Sequence, residues 1–364
     1  MLLDGKTTST CVETRNGEHR VGAREVHRVR VLAVTNMFPA PDFPHEGRFI
    51  QQQIEALRRN RLDVEVLLVN RRAKGMSVYS ALPGMLWKTV AQFEPDLVHV
   101  MYGGIMSQLV AYVVRDRPVV VTFHGSDLLG QPFERPVRRF LSAWGVFASR
   151  KAAKRCRGVV AVAEHLLKYL PKNVPRSHVR VIPCGIDLDL FQPIDRGLCR
   201  ERLGWTHDAF HILFQNTGDQ VKRPQLASAA VERLKGLGVK AAIHHLRDVS
   251  YDQVPIWLNA SDVLLVTSHH EGSPSIVKEA LACNLPIVSV AVGDISQRIE
   301  RINGCHLSAP NPVDLAAKLQ LVHKNPCRID AVEELESVSV DFCARQLSAF
   351  YKEIVGRKMF PAST

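Results

Sequence analysis

Apolar runs of four to eight residues alternate with helical patterns through most of this chain, and no other feature constrains its fold as tightly. The run at 28–35 (RVRVLAVT) stops at Asn36 and a Pro-rich loop, and reads as a buried strand. An amphipathic pattern follows over 48–60, with Phe49, Ile50, Ile54 and Leu57 on one face. Further strands are predicted at 64–69, 97–100, 119–122 and 158–162, with helices over 77–93 and 104–115 and a basic helical segment before the last strand. Pro171 and Pro175 mark a linker over 171–178, and the scheme then repeats. Strands are predicted at 179–182, 212–214, 241–243, 262–266 and 286–290, and helices at 224–236, 253–259, 275–283, 294–302, 312–324 and 339–356. Such alternation implies parallel sheets covered on both faces. Two series imply two doubly wound α/β domains, whose ligands bind beyond the carboxyl ends of the strands, in the cleft between the domains.

The length agrees, since 364 residues make about two domains. The expected division is a polar, disordered extension at 1–27, a first domain at 28–174, a second at 175–340 and a C-terminal helix and tail at 341–364. Hydrophobic residues at 46% and charged residues at 23% exclude a disordered or collagen-like chain. No stretch approaches the ~18 apolar residues of a membrane span. The opening MLLDGKTTST lacks the apolar core of a secretory signal. The eight cysteines are scattered with no C-x-x-C pair, so free thiols in a reducing cytoplasm are expected and no zinc cluster or redox pair.

The formal charge of +11 is unevenly placed. Residues 1–175 hold 26 Lys and Arg against 15 Asp and Glu, while the remainder is balanced at 21 of each. Between 134 and 157, eight basic residues face only Glu134 and flank the apolar run at 140–147 (FLSAWGVF). A basic helix bearing aromatics suits an anionic membrane surface or an anionic substrate, and suits plain solvation equally well. Nucleic acid is not expected as a partner, because no interleaved aromatic platform or zinc module accompanies the charge.

The sharpest segment is SHHEGSPSIVKEALA at 268–282, directly after the strand predicted at 262–266. Ser273 is a good N-cap and Pro274 suits a first helical turn, which predicts a helix from Pro274 with free N–H groups at Ser275, Ile276 and Val277. A helix N-terminus facing a cleft is ready for a phosphate. Glu271 precedes that helix and Glu279 lies inside it, so one carboxylate stands at its mouth and the other about two turns deeper. Both carboxylates could accept hydrogen bonds from sugar hydroxyls.

The pattern E-G-x-P-x-x-x-x-E-A-x-A over 271–282 resembles the donor-binding signature of glycosyltransferase family 4, a group of retaining enzymes with the two-domain GT-B fold. Three more segments fit in the same order: DLVH at 96–99, HGSD at 124–127 and VIPCGID at 181–187, so that the resemblance spans about 29–355. It implies an α/β GT-B architecture with two Rossmann-like domains facing across a cleft, the first for the acceptor and the second for a nucleotide-sugar donor. It further implies that Glu271 contacts hydroxyls of the donor sugar, that Glu279 binds the ribose, and that the backbone of Ser275, Ile276 and Val277, entered through Gly272, Ser273 and Pro274, meets the diphosphate. Lys222 occupies the place of the family's diphosphate-binding lysine. His124 would hydrogen-bond the transferred sugar, with Asp127 beside it as a further donor-binding candidate. Gly47 resembles the glycine of the family's first loop, where a backbone N–H approaches phosphate or acceptor. His99 reads instead as a packed core histidine.

Two departures stand out. The family's loop usually carries an arginine before the lysine; FQNTGDQVKRP at 214–224 has none, and Arg223 is the nearest stand-in. Cys184 stands where asparagine is usual, a change expected to touch the hinge and not the chemistry. A fixed lysine and a helix dipole can stabilise a departing nucleoside diphosphate without metal. No D-x-D motif directly follows a strand, so neither metal nor cofactor is expected beyond the donor substrate. The resemblance thus implies retaining transfer of a hexosyl group, by a front-face oxocarbenium-like route, from a UDP- or GDP-linked sugar to a hydroxyl of a saccharide or lipid-linked acceptor, in polysaccharide or glycoconjugate synthesis. The expected place is the cytoplasm, with the basic segment at the inner membrane face. Two rivals use the same fold: a nucleotide-sugar epimerase, and a non-catalytic nucleotide-sugar-binding protein suggested by the missing arginine.

Overall fold

The computed structural model describes residues 28–39, 47–131, 133 and 135–359, with 357–359 described by backbone alone. The predicted extension at 1–27, Glu134 and the last five residues lie outside these. In the first domain β1 (Arg30–Thr35), β2 (Asp63–Leu68), β3 (Leu97–Val100), β4 (Val119–Phe123), β5 (Gly158–Ala161) and β6 (Val179–Val181) form one parallel sheet in the order β2-β1-β3-β4-β5-β6. Strands β3, β4 and β5 are buried along their whole length, which is why their sequences are unbroken apolar runs. Successive side chains of β1 point to opposite faces. Val31 and Ala33 pack with Ile50, Ile54 and Leu57 of α1 (Arg48–Arg59). Leu32 and Val34 pack on the other side, with α2 (Val78–Phe93), α3 (Ile105–Val113) and the second half of α4 (Pro136–Arg155).

The second domain repeats the plan. Strands β7 (Phe210–Gln215), β8 (Ala241–Leu246), β9 (Val263–Val266), β10 (Ile287–Val290) and β11 (His306–Ser308) form a parallel sheet in the order β11-β10-β9-β7-β8. Its main helices are α5 (Arg196–Leu203), α6 (Pro224–Gly236), α7 (Val254–Ala260), α8 (Ser275–Ala282) and α9 (Pro312–Lys324). Strand β11 and helix α5 were not predicted. The strand has only three residues, and the helix is mostly polar, started by an Asp195 cap whose Oδ1 accepts the Leu198 N–H at 2.9 Å.

Two predicted boundaries move. Strand β6 was assigned to the second domain, but it pairs with β5, Val159 opposite Val179, and completes the first sheet. The chain therefore crosses after β6 and not at 175. The last helix, α10 (Val340–Met359), returns to the first domain, where Cys343, Leu347, Tyr351 and Ile354 pack with Val31, Ile50 and Leu57. The Tyr351 hydroxyl meets His99 Nδ1 at 2.5 Å, and His99 Nε2 meets Thr122 Oγ1 at 2.7 Å. Burial pushes the His99 pKa down to about 3, so it is a neutral core residue, as predicted. The seven described cysteines are unpaired.

Candidate active site

Strands β7 and β9 are neighbours in the second sheet, so the loops after them emerge side by side. The first loop carries Lys222 and the second carries Glu271. Lys222 Nζ donates to Glu271 Oε1 at 2.7 Å and to Gln215 Oε1 at 3.1 Å. The two charged side chains are only 17% and 14% exposed. Thr267 Oγ1 donates to the Lys222 carbonyl at 2.7 Å, and the His269 N–H donates to the Val221 carbonyl at 2.7 Å, so the loops are stitched together below the ion pair. Two residues forty-nine positions apart thus form one unit.

Arg223 does not stand in for the missing arginine. It takes a left-handed backbone conformation, φ 51°, and its guanidinium donates to the Thr267 and Ser268 carbonyls, which fastens the two loops to each other. Another cation, paired with Asp248 at 3.3 Å, lies beside the first loop. A Cβ on Gly218 would lie 3.8 Å from Nη2 of Arg247, just beyond β8. Arg247 is not among the residues expected here, because it follows the neighbouring strand β8; its one signal in the sequence is an arginine directly after a strand end.

Helix α8 begins at Ser275, one residue later than predicted. Pro274 is the cap residue with extended backbone, and Ser273 makes no cap bond. The Ser273 hydroxyl donates instead to Asp294 Oδ2 at 2.7 Å, and Asp294 pairs with Arg298 at 2.7 Å. The Val277 N–H is also taken, by the Pro274 carbonyl at 3.3 Å. The expected free donors reduce to Ser275 and Ile276, the first turn that no helix can satisfy internally. Lys278, unremarked in the sequence, is fully buried and donates to the Cys184 carbonyl at 2.5 Å and to Ser273 Oγ at 3.2 Å. It ties α8 to the segment where the chain crosses between domains. Its signal was a lysine inside an otherwise apolar helical stretch.

Glu279 is 5% exposed. The Tyr251 hydroxyl lies between Glu279 Oε1 at 3.2 Å and Gln52 Oε1 of α1 at 3.3 Å. Burial raises the Glu279 pKa from 4.5 to about 7, against a smaller lowering by the Tyr251 bond and Lys278. The sign of the linkage follows. Below pH 4.5 both the folded and unfolded chains hold the proton and there is no penalty; above pH 7 the folded chain carries a poorly solvated charge and loses about 3 kcal/mol. Glu279→Gln should therefore raise the melting temperature clearly at pH 8 and little at pH 5, measured by calorimetry. An equal change at both values would remove the pKa argument.

In the first domain His124 ends β4. Its Nε2–H donates to the Met101 carbonyl at 2.8 Å, and its Nδ1 lies 3.5 Å from Cys184 Sγ. Phe49 packs edge-on to the ring at 5.2 Å and Tyr102 stacks on it at 5.7 Å. Both ring nitrogens therefore have protein partners, and in this arrangement the imidazole is not free to hold a sugar as expected. Burial works against its charged form, but Cys184, Asp127 and the Met101 carbonyl outweigh it and raise the pKa. Burial alone would raise the Cys184 pKa; His124 and Lys278 bring it below the usual thiol value. Cys184 therefore touches His124 as well as the hinge.

Asp127 also differs from its expected donor-binding role. Its carboxylate is 5% exposed and accepts the N–H groups of Gly125 at 2.9 Å, Gly103 at 3.0 Å and His124 at 3.1 Å. Those bonds hold the loops after β3 and β4 in shape. Gly47 is explained by its backbone: φ is +69°, and a Cβ there would lie 2.4 Å from the Met37 carbonyl oxygen. Gly272 is explained by domain contact. A Cβ on Gly272 would lie 1.9 Å from the His124 carbonyl oxygen, so the two domains meet backbone to backbone beside Glu271. His165 Nε2 meets the Glu271 carbonyl at 3.1 Å and adds a second tie across the cleft.

Two cavities lie near the carboxyl ends of the strands. One of about 440 Å³ lies past the ends of β1, β3 and β4, walled by Asn36, Tyr102, Gly103 and Ser126 with Arg71 and Arg138 at its rim. The next, about 400 Å³, shares Gln131, Phe133 and Arg138 with it and has the loop from Thr217 to Val221 as its far wall. Residues Gln131, Phe133 and Arg138 of the first domain thus face the loop that leads to Lys222. Among the described residues no group of three or more His, Cys, Asp or Glu could hold a metal ion.

Two Rossmann-like domains that meet across a cleft, with the loops after neighbouring strands paired at its mouth, define a GT-B fold. The family model for glycosyltransferase family 4 matches residues 23–190, and that for glycosyl transferases group 1 matches 211–337. The chain belongs to glycosyltransferase family 4. It is 26% identical to D-inositol 3-phosphate glycosyltransferase of Geodermatophilus obscurus over 64% of this chain and 61% of that one. It is 26% identical to the putative teichuronic acid biosynthesis glycosyltransferase TuaC of Bacillus subtilis over 74% of this chain and 82% of that one. Among solved structures it resembles sucrose-phosphate synthase of Thermosynechococcus elongatus, with TM-score 0.72 at 17% identity over 92% of this chain and all of that one. It also resembles Anabaena Alr3699/HepE in complex with UDP-glucose, with TM-score 0.59 at 16% identity over 90% of this chain and 99% of that one.

Proposed function

We propose that this glycosyltransferase moves a sugar, with retention, from a nucleotide-diphosphate donor held by the second domain to a hydroxyl of a saccharide or lipid-linked acceptor in the first. The Lys222–Glu271 pair carries the reading. A cation and a carboxylate fixed 2.7 Å apart at the mouth of α8 offer opposite functions at one place. The lysine can turn from its internal partner toward a diphosphate, and the carboxylate then accepts from sugar hydroxyls. The two N–H groups at the start of α8 add positive potential on the same side. Glu279 lies within the helix and is placed to accept from a ribose.

The leaving diphosphate gathers negative charge as its bond to the anomeric carbon breaks. Lys222 and the helix terminus oppose that charge in fixed positions, which is the arrangement that lowers a barrier most. In a front-face route the departing oxygen takes the acceptor proton, so no carboxylate nucleophile is needed. The backbone contact at Gly272 and His124 limits water between the reactants. The cavity rimmed by Arg71 and Arg138 is where the acceptor would sit. No metal is invoked, because Lys222 supplies the charge.

Thermal shift with EDTA present, across UDP, GDP, ADP and CMP and their sugar conjugates, tests the donor assignment. A ligand at a hundred times its dissociation constant adds ~2.7 kcal/mol, a rise of a few degrees. One nucleotide series should stabilise the wild type and fail to stabilise Lys222→Ala. Flat curves for all four would favour a protein that no longer binds donor. Conversion of the donor sugar without acceptor would favour the epimerase.

A further inference from the structure

The first half of α4 has no fully buried residue, and its apolar side chains face outward. Val137 is 71% exposed, Phe140 70%, Phe147 54% and Trp144 47%. With Leu141 they recur at three- and four-residue spacing, so they form one stripe along the helix. Monomeric soluble proteins rarely leave such a contiguous patch without a use.

The stripe is rimmed by Arg138, Arg139, Arg150 and Lys151. At its C-terminal end lies a cavity of about 370 Å³ lined by Phe147, Tyr169 and Leu170 together with Arg150, Lys151, Lys154, Lys168 and Lys172, and its wall contains no carboxylate. Lys151 Nζ sits 5.3 Å from the Phe147 ring centre, and Lys168 Nζ sits 5.2 Å from that of Tyr169. Aromatic faces and ammonium groups are therefore adjacent parts of one surface. The 134–157 segment alone could not reveal this, because Lys168, Tyr169 and Lys172 arrive from the turn after β5.

We propose that this face docks on an anionic lipid bilayer. Phe140, Trp144 and Phe147 enter the boundary between headgroups and acyl chains, and the five-cation cavity seats a lipid phosphate. Charge complementarity selects this partner: outward aromatics answer an apolar layer, and a carboxylate-free cationic rim answers anionic headgroups. The surface also adjoins the candidate acceptor cavity, since Leu141 belongs to both the stripe and that cavity's wall. Docking does not depend on the transfer reading, and its test uses no activity.

The test is flotation of the full chain with vesicles of phosphatidylcholine alone or mixed with phosphatidylglycerol. Binding should favour the anionic vesicles at least about tenfold and weaken as salt rises. Phe140→Ser with Trp144→Ser should reduce it about tenfold or more, and because both side chains are exposed the melting temperature should hold. Lys151→Gln, Lys154→Gln and Lys168→Gln together should reduce it about a hundredfold, at about fivefold lost per cation. Equal binding to both vesicle types, wild-type binding by either variant, or a solution dimer that hides the stripe would overturn the proposal. Binding to duplex DNA but not to anionic vesicles would overturn it in favour of nucleic acid.

Discussion

Lys222→Ala should lower release of nucleoside diphosphate from the stabilising donor by about a thousandfold, the upper range for removing one fixed donor that meets developing transition-state charge. The expected loss is in kcat as well as kcat/KM, because the leaving diphosphate is more negative in the transition state than in the bound donor. Lys222→Arg should recover little, since the ammonium fits between Gln215 Oε1 and Glu271 Oε1 at 3.1 and 2.7 Å and a planar guanidinium does not reproduce that geometry. Glu271→Gln gives the complementary measurement. If the pair acts as one unit, the double variant should lose far less than the product of the single losses. A Lys222→Ala enzyme retaining more than a tenth of wild-type turnover would remove the lysine from the mechanism.

Gly272→Ala should cost about a hundredfold in turnover with both domains still folded. The added Cβ would lie 1.9 Å from the His124 carbonyl oxygen and 3.1 Å from a methyl of Val162, and the first of these is backbone that cannot swing aside. Overpacking a closed contact costs about 1–3 kcal/mol, and the cheapest relief here is to part the domains. Glu271 and Lys222 would then stand away from the first-domain loops that Asp127 organises. Solution scattering should show a larger radius of gyration, while circular dichroism stays that of the wild type. An unchanged radius with full activity would show that the contact at Gly272 is not the working one.

Much of the fold was legible because burial on both sheet faces leaves a plain mark. The runs at 97–100 and 119–122 lie in strands with no exposed residue. Position 312 begins a helix that ends at 324, as predicted. Boundaries between domains were less legible. Whether β6 pairs with the first or the second sheet is decided by an edge strand's hydrogen bonds, and its three residues carry no record of their partner. Likewise, α10 shows an apolar face in sequence, but not which domain that face covers.

The candidate site divides in the same way. The sequence, through its family resemblance, supplied Lys222, Glu271 and Glu279 as candidates, each just after a strand or on the following helix. It also supplied the glycines, but not the backbone contact with His124 that requires Gly272. Only the tertiary structure decided that Lys222 and Glu271 form a pair, that Arg223 is spent on two carbonyls, and that Asp127 and both nitrogens of His124 are engaged by the protein itself. The physical reason is range. Strand burial and helix caps depend on neighbours within a few positions, so the chain records them locally. A hydrogen-bond partner on another loop, some 23 to 60 positions away here, is chosen by how the sheets and loops pack, and no local pattern encodes that choice.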